Sequence, residues 1–409
     1  MSTPPRAAPV PPFRALLLEN IHSDAAWTLK DAGWDVERLT QALTEAELVE
    51  QLPGVQLLGI RSNTTVTRSV LDAATDLLAV GAFCIGTNQI DLAAAAERGV
   101  AVFNAPFSNT RSVVELALSE IIALTRRLTE KNAAMHAGTW DKSAVGSHEV
   151  RGRRLGIVGY GNIGSQLSVL AESLGMSVLF FDTADKLALG NARRCGTLDE
   201  LLAESDVVSL HVDGRVSNSS LFGEEQFARM RAGSIFLNLS RGFVVDHAAL
   251  RSHVESGHIA GAAVDVFPVE PKSAGEEFVS ELRGLPNVIL TPHVGGSTEE
   301  AQQDIGAFVA GKLRDYAADG TTSLSVNLPQ VALPRSPGTR LLHLHVNTPG
   351  VLATVTSLLA EHGINIEGQL LATAGSLGYV VTDVGDAEVE SFAGALRALP
   401  ETVRLRVLA

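Results

Sequence analysis

Cysteine is almost missing from this chain. Cys84 and Cys195 are the only two, and neither belongs to a CxxC pair. Nothing resembles a disulfide framework or a thiolate metal site, so no metal is expected and a reducing cytoplasm is the expected setting. Aromatic residues are also scarce, at 5%, while Ala, Val, Leu and Gly abound. Small residues let helices pack closely on sheets, which suits α/β layers. Positive charge is in deficit: 32 Lys and Arg against 46 Asp and Glu leave a formal net charge of −14 at pH 7. A nucleic-acid or anionic-membrane partner is therefore disfavoured, because phosphate surfaces call for a positive field. A small anionic substrate stays open, since a few local Arg residues can overrule the global charge. No window approaches the ~20 apolar residues of a membrane span. The Pro- and Ala-rich start lacks the apolar run of a signal peptide, and residues 1–13 are expected to form a disordered tail. The protein is expected to be soluble.

What is present is a rhythm. With 409 residues and 45% apolar content, the chain can bury two or three cores. Arg14–Glu19, Gln56–Arg61, Leu77–Gly81 and Val100–Phe103 read as strands alternating with helices at Asp24–Ala32, Thr67–Ala74 and Asp91–Arg98. The alternation restarts at Leu155–Val158 and continues through strands ending near Phe181, Leu210, Leu239, Val266 and Leu290. Parallel sheets covered on both faces follow. An apolar helix over Ser112–Leu128 is long enough to bridge two domains, and residues 321–338, with three Pro, read as a linker. Beyond it the order becomes βαββαβ, with a helix over Ala387–Leu399, which fits a small ferredoxin-like unit.

Gly159-Tyr160-Gly161-Asn162-Ile163-Gly164 matches GxGxxG. The hexapeptide alone is weak in a chain with 37 glycines, but its surroundings strengthen it. An apolar strand precedes it, a helical run to Leu174 follows, and a second strand ends at Asp182, 18 residues after Gly164. Gly159 permits the tight turn, Gly161 admits a pyrophosphate to the backbone, and Gly164 lets helix and strand pack closely. The N–H groups around Asn162 and Ile163 would hold the phosphates. Asp182 would accept hydrogen bonds from the adenosine ribose and repel a 2′-phosphate, so NAD is the expected cofactor.

Three segments each end an expected strand: Asn238-Leu-Ser-Arg-Gly242, Asp265-Val-Phe-Pro-Val-Glu-Pro271 and Thr291-Pro-His-Val-Gly-Gly296. Ligands of open α/β sheets bind outside the carboxyl ends of strands, so all three face the nicotinamide end. Together with the fingerprint, they resemble the D-isomer-specific 2-hydroxyacid dehydrogenases from about Phe13 to Gly320. The resemblance implies that Arg241, Glu270 and His293 are catalytic, with Leu239, Ser240, Asp265, Gly295 and Gly296 at the cofactor. It also implies a flavodoxin-like substrate-binding domain from 14–107 and 296–320, a Rossmann domain from 108–295 and a regulatory domain from 339–409. The chemistry suits these types. A neutral His takes a hydroxyl proton near pH 7, a carboxylate orients it, and an Arg fork holds the substrate carboxylate. His211 and His343 are expected to be structural.

Arg61-Ser62-Asn63-Thr64 and the stretch from Asn104 to Ser112 lie in strand-end loops, and Arg61, Ser62 and Asn109 are candidates for binding the substrate's anionic ends. With Phe83–Asn88 and Gly190-Asn191, the resemblance tightens to bacterial family members that oxidise 3-phosphoglycerate, the first step of L-serine biosynthesis. It implies that Lys142 adds charge from a neighbouring subunit of a homotetramer. Many relatives carry a second Arg where this chain has Asn63, which keeps 2-hydroxyglutarate or another 2-hydroxy acid as an alternative substrate. The tail from Leu341 resembles an ACT regulatory domain through His345-Val-Asn347-Thr-Pro-Gly350 and Gly363-Ile-Asn365-Ile366. By that resemblance His345, Asn347 and Asn365 match positions that bind serine, the expected feedback inhibitor. An NAD(H)-sensing corepressor built on the same fold is the competing reading from another class.

Overall fold

The computed structural model describes residues 13–271, 275–385 and 389–408. The expected tail before Phe13 and the expected helix start at Ala387 lie outside the described residues. The chain divides into two compact units, one running to Ser108 and resuming at Gln302, the other spanning Asn109–Ala301.

The first unit opens with five parallel strands, β1 (Arg14–Leu17), β2 (Asp35–Arg38), β3 (Leu57–Ile60), β4 (Ala79–Ala82) and β5 (Ala101–Asn104), in the order β2-β1-β3-β4-β5. This is the flavodoxin-like order, whose binding edge is the carboxyl end of the strands. Strands β3, β4 and β5 are buried along their whole length, as continuous apolar runs in a two-sided parallel sheet should be. The connecting helices are α1 (Ser23–Asp31), α2 (Glu45–Gln51), α3 (Arg68–Ala73) and α4 (Leu92–Glu97). Side chains start all four: His22 accepts from Asp24 N, Thr44 and Glu47 form a reciprocal capping box, Thr67 accepts from Val70 N, and Asp91 accepts from Ala94 N. Sequence patterning passes over β2 because this edge strand buries only Val36.

The second unit begins with α5 (Thr110–Thr125) and α6 (Leu128–His136). The helix expected to bridge two domains lies wholly here, burying Val114, Ala117, Ile121 and Leu124, and Arg127 breaks the run with φ 53°. Then follow β6 (Arg154–Val158), α7 (Asn162–Ser173), β7 (Ser177–Phe181), β8 (Arg193–Arg194), α8 (Leu198–Glu204), β9 (Val207–Leu210), α9 (Glu224–Arg229), β10 (Ser234–Asn238), α10 (His247–Glu255), β11 (Ile259–Val264) and β12 (Val288–Leu290). The strands form one parallel sheet in the order β12-β11-β10-β9-β6-β7-β8. Chain direction across the sheet reverses between β6 and β9, which is where a Rossmann sheet opens a crevice for a dinucleotide.

Helix α11 (Glu299–Asp319) returns the chain to the first unit, where Ile305, Val309, Leu313 and Tyr316 join the core beneath β1, β4 and β5. The segment expected to be a linker is pinned there. Asn327 accepts from Val102 N and donates to Val100 O, both at 2.9 Å, and Leu328 and Val331 are buried. Its anchors are mostly polar, so an apolar pattern could not reveal them.

The last element is an antiparallel sheet of β13 (Thr339–Val346), β14 (Ile366–Ala374), β15 (Leu377–Val384) and β16 (Thr402–Leu408), ordered β14-β15-β13-β16. Helices α12 (Val351–Glu361) and α13 (Glu390–Arg397) cover one face through Val355, Leu359, Phe392 and Leu396. The other face presents Leu342, Leu344, Tyr379 and Val381 to the core that holds α11. Three arginines stitch this contact to backbone carbonyls: Arg340 to Leu333 O and Pro334 O, Arg404 to Leu77 O, and Arg406 to Ala317 O. Among the described residues, no helix is long and apolar enough to cross a membrane, and no His, Cys, Asp and Glu cluster could hold a metal.

Candidate active site

The glycine turn sits at the carboxyl end of β6. Gly159 has φ 91°, and a Cβ there would lie 2.6 Å from the His211 carbonyl oxygen, so only glycine fits. Gly164 is equally constrained, because a Cβ would run into the Gly159 carbonyl. Gly161 differs, since a Cβ there would meet no protein atom within 4 Å. No packing demand of the chain explains that glycine, whereas a ligand approaching the backbone does. Asp182, at the end of β7, binds the turn directly: its carboxylate accepts Tyr160 N and Ala184 N, each at 2.8 Å.

The three catalytic candidates follow the carboxyl ends of β10, β11 and β12 in the same sheet. Glu270 Oε2 lies 2.9 Å from His293 Nδ1, and Oε1 accepts Phe267 N at 3.0 Å. The Glu270 hydrogen bond raises the imidazole pKa above its usual 6.5; burial and the Arg241 charge oppose it, and the charges of Glu270 and Asp265 assist. Burial works against ionisation of Glu270, but His293, the Phe267 N–H and Arg241 outweigh it and hold that carboxyl below its usual range. The field of Arg241 thus reaches both members of the pair. Arg241 is itself braced, donating from Nη1 to Ser240 O at 2.6 Å, while buried Asn238 donates to Arg241 O and accepts from Ser240 N and Oγ.

The loop carrying His293 is shaped by Asp265. Its Oδ1 accepts the Thr291 hydroxyl at 2.6 Å and Val294 N at 2.8 Å, and Oδ2 accepts Gly295 N at 2.8 Å. That leaves His293 with φ 53°, an uncommon conformation for a residue with a Cβ. Gly296 closes against the Asn109 side chain, which a Cβ would strike.

The profile of the "D-isomer specific 2-hydroxyacid dehydrogenase, NAD binding domain" matches residues 118–295, and that of the "AHAS small subunit-like ACT domain" matches 341–404. D-3-phosphoglycerate dehydrogenase of Haemophilus influenzae is 51% identical over 398 residues, covering 97% of both chains. That of Escherichia coli K12 is 50% identical over 399 residues, again covering 97% of each. The chain belongs to the D-isomer specific 2-hydroxyacid dehydrogenases. Among solved structures, D-lactate dehydrogenase of Aquifex aeolicus, complexed with NAD and lactic acid, matches with TM-score 0.64 and 25% identity over 74% of this chain and 95% of its own.

NAD is the cofactor of this dehydrogenase, and the residues fit it. The open face of Gly161, the N–H groups at the start of α7 and the Asp182 carboxylate are the groups that would hold its pyrophosphate and a ribose diol. Leu239 and Ser240 are buried at the end of β10, beside Arg241.

The remaining expected site residues occupy other places in the dehydrogenase. Arg61 and Ser62 lie in the loop after β3, with Arg61 partly buried and Ser62 exposed; Lys142 is exposed in the loop after α6. In the ACT domain His345 is buried with Nδ1 on Val346 O at 2.8 Å, while Asn347 and Asn365 are exposed. His343 bonds to the Thr402 hydroxyl and His211 to the Ser209 hydroxyl, both inside the protein. Sequence reasoning passed over Glu19. Buried at the end of β1, its carboxylate accepts the N–H groups of Arg61, Asn63 and Thr64 at 2.9–3.0 Å and so shapes that loop. The available signal was a lone carboxylate directly after an apolar strand.

Proposed function

We propose that this dehydrogenase oxidises 3-phospho-D-glycerate to 3-phosphohydroxypyruvate with NAD, the first step of L-serine biosynthesis, and that L-serine inhibits it. The observation that carries the reading is the Glu270–His293 pair within the field of Arg241, on the same sheet as a glycine turn open at Gly161. Its setting is a chain about half identical, over nearly its full length, to curated D-3-phosphoglycerate dehydrogenases.

Arg241 holds the substrate carboxylate in a planar fork and polarises the C2 oxygen. His293, neutral on Nε2, takes the C2 hydroxyl proton as the carbonyl forms, and Glu270 stabilises the resulting imidazolium. NAD, which the glycine turn and Asp182 would hold, would supply the acceptor for the hydride leaving C2. Arg61, Ser62 and Asn109 bind the anionic ends of the substrate, with Lys142 contributed by a neighbouring subunit of a cytoplasmic homotetramer. His345, Asn347 and Asn365 bind the serine zwitterion in the ACT domain.

A panel of 3-phosphoglycerate, 2-hydroxyglutarate, glycerate and lactate with NAD, each with and without serine, tests this. The highest kcat/KM is expected for 3-phosphoglycerate, with inhibition by millimolar serine that Asn347→Ala relieves. A preference for 2-hydroxyglutarate overturns the substrate assignment, and no turnover with any member favours a sensing role. Indifference to serine overturns the effector assignment.

A further inference from the structure

The loop after β9 carries a charge arrangement that the fingerprint does not require. It leaves the sheet at the β6/β9 reversal, and its first residues pack on the glycine turn: a Cβ on Gly159 would meet His211 O and Val212 N. Arg215 then clasps Asp213, with Nε 2.7 Å from Oδ1 and Nη2 2.5 Å from Oδ2. Asn218 Nδ2 donates to the same carboxylate and to Asp213 O, both at 3.0 Å, so Asp213 is held independently of Arg215. The field of Asp182 reaches Arg215 from one side, and that of Arg241 reaches Asp213 from the other. Asp182, Arg215, Asp213 and Arg241 therefore alternate in sign along the face beside the turn, from the ribose carboxylate to the catalytic arginine.

We propose that Arg215 is a cofactor-binding residue that leaves Asp213 to grip the NAD pyrophosphate opposite the glycine turn. Its side chain is 62% exposed and that of Asp213 is 55% exposed, so the pair is weak and readily exchanged. A guanidinium gains more from a dianionic pyrophosphate, to which it can donate two parallel hydrogen bonds. The turn offers only backbone N–H dipoles, and the chain around it is strongly acidic overall, so a local cation answers a real electrostatic need. Arg194, near Asp182, is committed to Asp185 and to the carbonyls of Asp182 and Ala184. A 2′-phosphate would instead confront Asp182 itself, which argues for the pyrophosphate as the anion gripped.

The inference rests on NAD binding at this turn, and calorimetric titration of the full-length protein tests it separately from turnover. Wild type, Arg215→Gln and Arg215→Lys are titrated with NAD, ADP, adenosine and NADP at two salt concentrations. Arg215→Gln is expected to bind NAD and ADP about tenfold or more weakly, to bind adenosine as wild type does, and to lose part of the salt dependence; Arg215→Lys recovers part of the affinity. Unchanged NAD and ADP affinity in Arg215→Gln overturns the proposal, as does an effect confined to NADP. Equal losses for adenosine and ADP also overturn it, because they point to a collapsed loop. Failure of wild type to bind NAD would instead remove the cofactor site on which the proposal stands.

Discussion

The Glu270 carboxylate divides its two oxygens between His293 Nδ1, at 2.9 Å, and the Phe267 backbone N–H, at 3.0 Å. One oxygen thus anchors the acid to its own loop while the other orients the imidazole and leaves Nε2 as the nitrogen that exchanges a proton with substrate. This bond is the leading cause of the raised His293 pKa.

Oxidation requires the neutral imidazole, so kcat/KM should rise with pH through the raised pKa of His293. In Glu270→Gln that support is gone, the pKa falls, and the rise should move to lower pH while the plateau drops. A pH profile of kcat/KM for both proteins checks the direction. The same pair gives a stability signature. Its contribution is complete between pH 4.5 and 6.5, fades above as His293 loses its proton, and fades below as Glu270 gains one. With side chains 49% and 37% exposed, that contribution is small.

Two alanine substitutions in the glycine turn should separate binding from folding. Gly161→Ala meets empty space in the protein, so its Tm should stay near wild type while NAD affinity collapses. Gly164→Ala drives a methyl into the Gly159 carbonyl and should cost about 1–3 kcal/mol of stability. Thermal melts with and without NAD read both effects.

Arg340 and Asp383 form a bidentate pair at 2.6 and 2.7 Å, with both side chains only 2% exposed. Asp383→Ala leaves a buried guanidinium without its counter-charge and should cost about 3–5 kcal/mol. Replacing both by apolar residues should cost less than the single change, although Arg340 also donates to Leu333 O and Pro334 O. Urea unfolding of the three variants measures the difference.

The βαβ rhythm and the strand-end motifs were legible because buried parallel strands are continuous apolar runs and because Gly159 and Gly164 answer to sterics that few other residues satisfy. Edge strand β2 was not, since an edge position needs only Val36 inside. The reach of α5 was overstated because nothing in its apolar run announces the left-handed turn at Arg127. Glu19 escaped for a related reason. It acts by collecting N–H groups from a loop distant in sequence, and its place directly after an apolar strand was the only local hint. Arg215 belongs to no motif, and only the fold brings it within the field of Asp182.

The most direct test is the rate of NAD reduction by 3-phosphoglycerate in a single turnover, followed by nicotinamide absorbance in wild type and His293→Asn, with NAD affinity measured alongside. The rate should fall by about 10²–10⁴-fold with cofactor affinity little changed, as expected for loss of a general base. Reduction at the wild-type rate in His293→Asn would contradict the assignment of that imidazole as the proton acceptor.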